Sequence, residues 1–339
     1  MAPSANAPAQ ADAKANPLDS LIAMVADDLK AVNRTIVEQM QSPVALIPQL
    51  AGHLVAAGGK RLRPVLTLAT ARLCGYEGAG HVLVATCVEF IHTATLLHDD
   101  VVDDSKLRRG RESANAIWGN EPSVLVGDFL FSRAFEMLVD HGDLPTMRLL
   151  SRACATLSEG EVMQLLTAND IETTRDAYLD VIRGKTAALF AAAARAGGMV
   201  AQRPEAELNA LSTYGMNLGT AFQVVDDTLD YSAEQAALGK EVGDDFRDGK
   251  VTLPAILAIE RGSDEERAFW QRCLGDQDIH DGDLEHAMEL MRRHNALDDA
   301  QAQARAYVEE ARQALEVFPD NPMRRILLDV ADFSLERAF

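Results

Sequence analysis

Residues 79–103 read AGHVLVATCVEFIHTATLLHDDVVD, a stretch that is apolar nearly all round until residue 98 and then turns acidic. Apolar residues at spacings of three and four predict a helix, and a helix without a polar face belongs inside an assembly of other helices. Working outward, the same pattern continues from Leu18 to Ala338, with abundant Ala and Leu and no alternating segment bounded by hairpin turns. Helices are predicted over 18–40, 44–57, 61–74, 79–103, 122–141, 145–168, 174–197, 203–231, 251–261, 263–274, 281–293, 297–317 and 321–336. The segment 186–197 is as apolar as 79–98. The expected fold is all-α, a large helical bundle with central helices ringed by others. No Pro/Gly/Ser-rich linker interrupts residues 18–339, so they are expected to form one domain. The opening MAPSANAPAQADAKANP, residues 1–17, has neither the apolar stretch of a signal peptide nor the arginines of a transit peptide, and is expected to be a disordered tail.

The 339 residues are 47% hydrophobic and 25% charged, enough for a sizeable core. With 32 Lys and Arg against 52 Asp and Glu the net charge is −20, which disfavours nucleic acid or an anionic membrane as the main partner. An anionic ligand must then be held by a local basic cluster or by metal ions. Cys74, Cys87, Cys154 and Cys273 lack ligand spacing and sit in apolar stretches, so reduced core thiols and a cytoplasmic setting are expected. No run of about 18 uninterrupted apolar residues occurs, and no integral membrane segment is expected.

DDVVD at 99–103 returns as DDTLD at 226–230, each copy closing an apolar helical segment. On a helix, positions i, i+1 and i+4 lie within roughly 100° of arc, so Asp99, Asp100 and Asp103 should project together, as should Asp226, Asp227 and Asp230. Three carboxylates on one face repel each other and oppose the helix dipole at a C-terminal end. One such triad reads most simply as a solvated face. Two copies at identical internal spacing point instead to hard divalent cations, Mg²⁺ above all, shared with a phosphate or diphosphate. An EF-hand does not fit, because neither copy has the glycine at loop position six or the glutamate at twelve.

Matching cations are present. GGKRLRP, residues 58–64, sets Lys60 and Arg63 at the start of a helix after a glycine pair, where exposed N–H groups and the positive dipole end favour an anion. Arg108 and Arg109 serve either as counter-ions of Asp103 and Asp104 or as phosphate contacts. Lys185 and Thr186 open GKTAALFAAAARAGG, where the lysine either snorkels to the surface or meets a bound anion. Lys240 and Lys250 flank the polar EVGDDFRDG and are candidates only by position. His92, seven residues before Asp99, and Gln223, three before Asp226, read as core residues or as ligand contacts.

The ordered set GGKRLRP, LLHDDVVDDSKLRRG, VGDFLFSRAF, EGEVMQL, GKTAALF, GTAFQVVDDTLDY and GKEVGDDFRDGKVTLP spans about residues 45–260. On these motifs the chain resembles the trans-isoprenyl diphosphate synthases, and among them the long-chain polyprenyl synthases that make quinone side chains. The resemblance implies a homodimer of the isoprenoid synthase type, with a deep apolar cavity. It implies a Mg²⁺-dependent 1′-4 condensation of isopentenyl diphosphate onto an allylic diphosphate such as farnesyl diphosphate, continued to an octaprenyl-to-decaprenyl product. Asp99 and Asp103, with Asp100 in support, would bind two Mg²⁺ ions, and Asp226 with Asp230 a third. Arg108, Lys185, Thr186, Gln223 and Lys240 would contact the allylic diphosphate, with Lys250 close by, and Lys60, Arg63, His92 and Arg109 would hold isopentenyl diphosphate. The catalytic set would be Asp99, Asp100, Asp103, Asp226, Lys185 and Arg108.

Chain length in such enzymes depends on the residues four and five before the first aspartate, here Thr95 and Ala94. Both are small, so the tunnel is expected to continue below them. Phe131, Phe135 and Leu138 share a helical stripe that would form its floor, or is plain core. The rivals are a shorter-chain synthase, a class I terpene cyclase and an inactive partner subunit. A cyclase typically has a different second metal motif and lacks GGKRLRP, and an inactive subunit typically loses aspartates or the arginine pair.

Overall fold

Asn16 starts the first helix by accepting a 2.8 Å hydrogen bond from Asp19 N, with Pro17 at the first turn. The computed structural model describes residues 16–56, 59–108, 110–232 and 242–336. The predicted tail falls almost wholly on residues 1–15, outside that set, as do Arg109 and Lys240. In chain order the α-helices are α1 Pro17–Met24, α2 Ala26–Gln39, α3 Leu46–Ala56, α4 Leu62–Leu73, α5 Gly80–Val102, α6 Ala114–Trp118, α7 Asn120–His141, α8 Leu144–Thr167 and α9 Arg175–Ile182. They continue as α10 Ala188–Val200, α11 Glu205–Leu229, α12 Asp244–Arg247, α13 Leu253–Arg261, α14 Asp264–Trp270, α15 Asp283–Arg293, α16 Ala296–Ala314 and α17 Pro322–Glu336. The all-α expectation is met. Among the described residues the only strands are β1 Leu107–Arg108 and β2 Arg111–Glu112, a two-residue antiparallel ribbon pairing Leu107 with Glu112 and Arg108 with Arg111.

Three predicted helices are interrupted. Segment 18–40 divides at Val25, and 174–197 and 263–274 contain π-turns at Arg183–Ala187 and Gln271–Gly275. A π-turn adds one residue to a helical turn without breaking the apolar pattern, so spacing alone does not reveal it. α6 and α12 are too short to show a period and lie outside the predicted helices.

α5, α10 and α11 form the centre. α5 lies against α4 and α7, α10 against α4, α8 and α11, and α11 against α16. α10 reads ALFAAAARAGGMV and is buried over most of its length. Small side chains let its neighbours approach closely: a Cβ on Gly215 of α11 would come 2.4 Å from Phe190 O. α5 is the one described helix long and apolar enough to cross a membrane, yet 67% of that window is buried inside the fold. It is a core helix, as its missing polar face implied. One apolar core runs from Leu21 to Ala331.

Candidate active site

α5 and α11 both end at a cleft of about 820 Å³. From α5 it is lined by His92, Thr95, Leu96, Asp99 and Val102, a stripe at helical spacing, and Asp103 follows at the helix end. Across it stand Gln223, Asp226 and Asp227 of α11. Arg63, Arg108, Lys185, Thr186 and Lys250 also line it. The structure thus brings most of the predicted residues to one cavity, with acids on two walls and cations between them.

Each aspartate motif divides its labour. Asp99 and Asp226 face the cleft, whereas the next aspartate of each copy is buried and committed to protein donors, Asp100 away from the cleft and Asp227 within its wall. Asp100 is fully buried and does not line the cleft; its Oδ1 accepts from Arg108 Nε at 2.8 Å and from Nη2. Asn115 of α6 donates to its backbone oxygen at 2.9 Å. The expectation that Asp99, Asp100 and Asp103 project together is corrected: one residue of helix turns Asp100 about 100° from Asp99, toward the interior. There it holds Arg108, whose strand β1 is folded back by the ribbon with Gly110 at φ +73°. Asp227 is also buried, accepting from Tyr178 Oη at 2.5 Å and Gln223 Nε2 at 2.7 Å. Thr186 Oγ1 donates to Gln223 Oε1 at 2.9 Å, so the chain of bonds continues to the π-turn.

Asp230 departs from expectation too. Its carboxylate accepts from the backbone N–H groups of Asp244 and Asp245 at 3.2 and 3.0 Å, tying α11 to the start of α12, and it is not among the cleft-lining residues. Asp245, which does line the cleft, was not singled out from the sequence.

Lys185 owes its place to two glycines. A Cβ on Gly160 of α8 would lie 2.4 Å from Lys185 N, and one on Gly184 would lie 2.9 Å from Gly160 Cα. That contact seats the π-turn on α8 and lets Lys185 Nζ reach Glu161 Oε2 at 2.8 Å. Glu161 and Gln164 stand in EGEVMQL, a motif the sequence displayed without revealing what either residue touches. Tyr178 gave no signal, because the π-turn alters the register between it and Lys185. Lys250 is 2.9 Å from Asp248 and 3.8 Å from Asp245. Arg63 Nη1 is 3.1 Å from His92 Nε2, and its guanidinium lies 4.5 Å over the Phe190 ring. Lys60 is exposed and outside the lining set.

The chain-length residues are redistributed. Thr95 lines the cleft, but Ala94 is fully buried in the core, one helical step away. Phe131, Phe135 and Leu138 do not line this cavity; Phe131 stacks on His98 at 6.1 Å between ring centroids, and Leu138 is core. The stripe is at helical spacing, as expected, but packs elsewhere.

The acids are strained mainly by burial and then by one another. Burial first, then Glu161 and Asp103, push Asp99 up to about 7 against the pull of Lys185 and Arg108. Burial also pushes Asp227 up to about 7 and holds Asp230 and Asp245 above their ordinary values. A set of hard oxygen donors held at such cost fits a divalent cation. Among the described residues no three acid, His or Cys side chains form a ready-made cage.

Residues 44–291 match the family model for polyprenyl synthetases. The chain belongs to the polyprenyl synthetase family. It is a prenyltransferase, similar over 94% of its length to octaprenyl diphosphate synthase of Escherichia coli K12, with 44% identity covering 99% of that protein. Its fold matches the crystal structure of a decaprenyl diphosphate synthase from Rhodobacter capsulatus with a TM-score of 0.92 and 52% identity, over 95% of this chain and 100% of that one. A polyprenyl synthase from Caulobacter crescentus CB15, solved with calcium and isoprenyl diphosphate, matches at 0.90 and 48%, over 96% and 99%.

Proposed function

We propose that the chain is a long-chain trans-polyprenyl diphosphate synthase, adding isopentenyl diphosphate repeatedly to an allylic diphosphate such as farnesyl diphosphate. The observation that carries this reading is the cleft that gathers Asp99 and Asp226, from the ends of α5 and α11, with Arg63, Arg108, Lys185 and Lys250 and with the apolar Leu96, Val181, Ile182 and Phe222. Relatives named for octaprenyl and decaprenyl products support the long product, and a quinone side chain is its destination in this reading.

Asp99, Asp103 and Asp226 would hold Mg²⁺, three ions in all, which supply Lewis-acid stabilisation of charge growing on the departing pyrophosphate. Arg108 and Lys185 add fixed positive charge at the same end, and their counter-ions Asp100 and Glu161 hold them in place before substrate arrives. Arg63 and His92, with Lys60 and Arg109, hold the diphosphate of isopentenyl diphosphate. The allylic C–O bond breaks, the alkene of isopentenyl diphosphate forms the new C–C bond to the allylic carbon, and a proton leaves to the pyrophosphate to restore a double bond. The apolar wall below excludes water, which would otherwise capture the allylic cation.

A homodimer is supported by the apolar residues left exposed on adjacent helices, Leu125 and Val139 of α7 with Leu144, Val162 and Leu166 of α8. Four free cysteines support the cytoplasm. The test is purified protein with Mg²⁺, farnesyl diphosphate and labelled isopentenyl diphosphate. Chromatography should show products of eight to ten prenyl units; a ladder ending at twenty carbons, or no elongation, defeats the reading.

A further inference from the structure

α4 opens on an arginine in a conformation arginine seldom takes. Arg61 is its N-cap, at φ 52° and ψ 37°, and its side chain makes no capping hydrogen bond. Glycine or asparagine takes this left-handed geometry readily, whereas a bulky residue holds it only where its surroundings over-determine it. Here the surroundings are Glu89 of α5, 7% exposed, whose Oε1 accepts from Arg61 Nη1. Three residues along α5, His92 meets Arg63. Two rungs, Arg61 to Glu89 and Arg63 to His92, therefore tie the same few residues of GGKRLRP to the same helix. The second lines the cleft and the first does not.

Stability alone is a poor explanation for the outer rung. A buried ion pair is often no better than apolar residues of the same volume, and this one adds backbone strain and a buried Glu89 Oε2 without a hydrogen-bond partner. A fixed geometry is what such a pair supplies. Pulled into the left-handed region, Arg61 sets where α4 begins, and with it the direction in which Lys60 and Arg63, on either side, are presented.

We propose that Arg61 and Glu89 are positioning residues for the subsite that binds the diphosphate of isopentenyl diphosphate. They touch no substrate. They clamp the start of α4 onto α5, so that Arg63 and Lys60 meet the diphosphate already placed. The inference rests on reading Lys60, Arg63 and His92 as that subsite.

The experiment measures initial rates with each substrate varied in turn, together with thermal melting, for Glu89→Gln, for Arg61→Gly combined with Glu89→Gln, and for Arg63→Gln. The double variant removes the pair, leaves no buried charge unpaired and gives the left-handed position the residue that suits it, so it should melt close to the wild type. Glu89→Gln, which keeps an acceptor for Arg61, guards against misfolding of the double variant. The expected result is a KM for isopentenyl diphosphate raised about tenfold in the double variant, and less in Glu89→Gln, with kcat and the allylic KM within about twofold. Wild-type KM in a folded double variant, while Arg63→Gln raises it, overturns the clamp and spares the subsite. No rise in Arg63→Gln overturns the subsite, and the clamp with it. Equal loss toward both substrates reduces the pair to a structural role and also overturns the proposal.

Discussion

Tyr178 Oη donates a 2.5 Å hydrogen bond to Asp227 Oδ2 inside the wall of the cleft, and both residues are buried. With Gln223 on the other oxygen, Asp227 is committed to the protein much as Asp100 is to Arg108. In each motif the first aspartate faces the cleft and the second fixes a neighbour that also faces it. Tyr178→Phe removes one donor to a buried carboxylate, an interaction of about 1.5–3 kcal/mol. Gln223 and Thr186 should then lose their fixed orientation. Steady-state kinetics should show kcat over KM for the allylic substrate lower by about tenfold or more, with little change in the KM for isopentenyl diphosphate. Wild-type allylic kinetics would remove Tyr178 from the positioning network.

Thr95 lies on the cleft and Ala94 in the core, and the two positions should respond differently to the same side chain. Thr95→Phe places a ring in the path of a growing chain, and product chromatography should show shorter prenyl diphosphates. Ala94→Phe overpacks a filled interior, at a cost of about 1–3 kcal/mol or more, so its main effect should be a lower melting temperature. A shortened ladder from Ala94→Phe in a protein of unchanged stability would reverse this assignment.

The fold class and the acids of the site were legible because both rest on local spacing. Apolar residues at three and four gave α5 and α10, and the doubled DDxxD gave Asp99, Asp103 and Asp226. What spacing cannot give is direction within a short arc. Asp100 and Ala94 each sit one residue from a cleft-lining neighbour, and only packing decides which of the two faces the cavity. Asp230 was misplaced because α12, the helix it caps, is too short to show a period. Tyr178 and Glu161 depend on the π-turn and the contact of Gly160 with Gly184, which are long-range facts. The left-handed backbone of Arg61 is invisible in a residue name.

Metal should stabilise the protein, and more so at higher pH. Asp99 and Asp227 are pushed up to about 7, mainly by burial, and Asp230 and Asp245 are also raised. Between the ordinary carboxylate range and about 7 the folded chain therefore binds more protons than the unfolded one, and these groups cost the metal-free fold stability as pH rises through that window. A cation held at Asp99, with Asp245 also on the cleft, relieves their part of that cost. At a hundredfold excess over Kd, binding to the folded state alone is worth about 2.7 kcal/mol. Melting with and without Mg²⁺ should show a larger rise at pH 8 than at pH 5.5, and chelation should abolish turnover. Equal rises at both pH values would detach the metal from these acids.

Asp28 provides the opposite pH dependence, far from the cleft. Its carboxylate accepts from Arg72 Nε at 2.8 Å and Nη2 at 2.7 Å, and His81 Nε2 lies 3.1 Å away. Arg72 also donates to Tyr76 O at 2.6 Å, so the cluster joins α2, α4 and the approach to α5. Burial works to raise the Asp28 carboxyl, but Arg72 and His81 outweigh it and hold it below its ordinary value of 3.8. A depressed acid contributes stability that is complete above the unfolded pKa and is lost as pH falls through the folded one. Asp28→Asn keeps the shape and removes the charge, and at neutral pH it should cost about 1–3 kcal/mol. Urea unfolding of both proteins should show this difference shrinking below about pH 4. A difference that stays constant down to pH 3 would mean that shape, and not the ionised pair, binds α2 to the core.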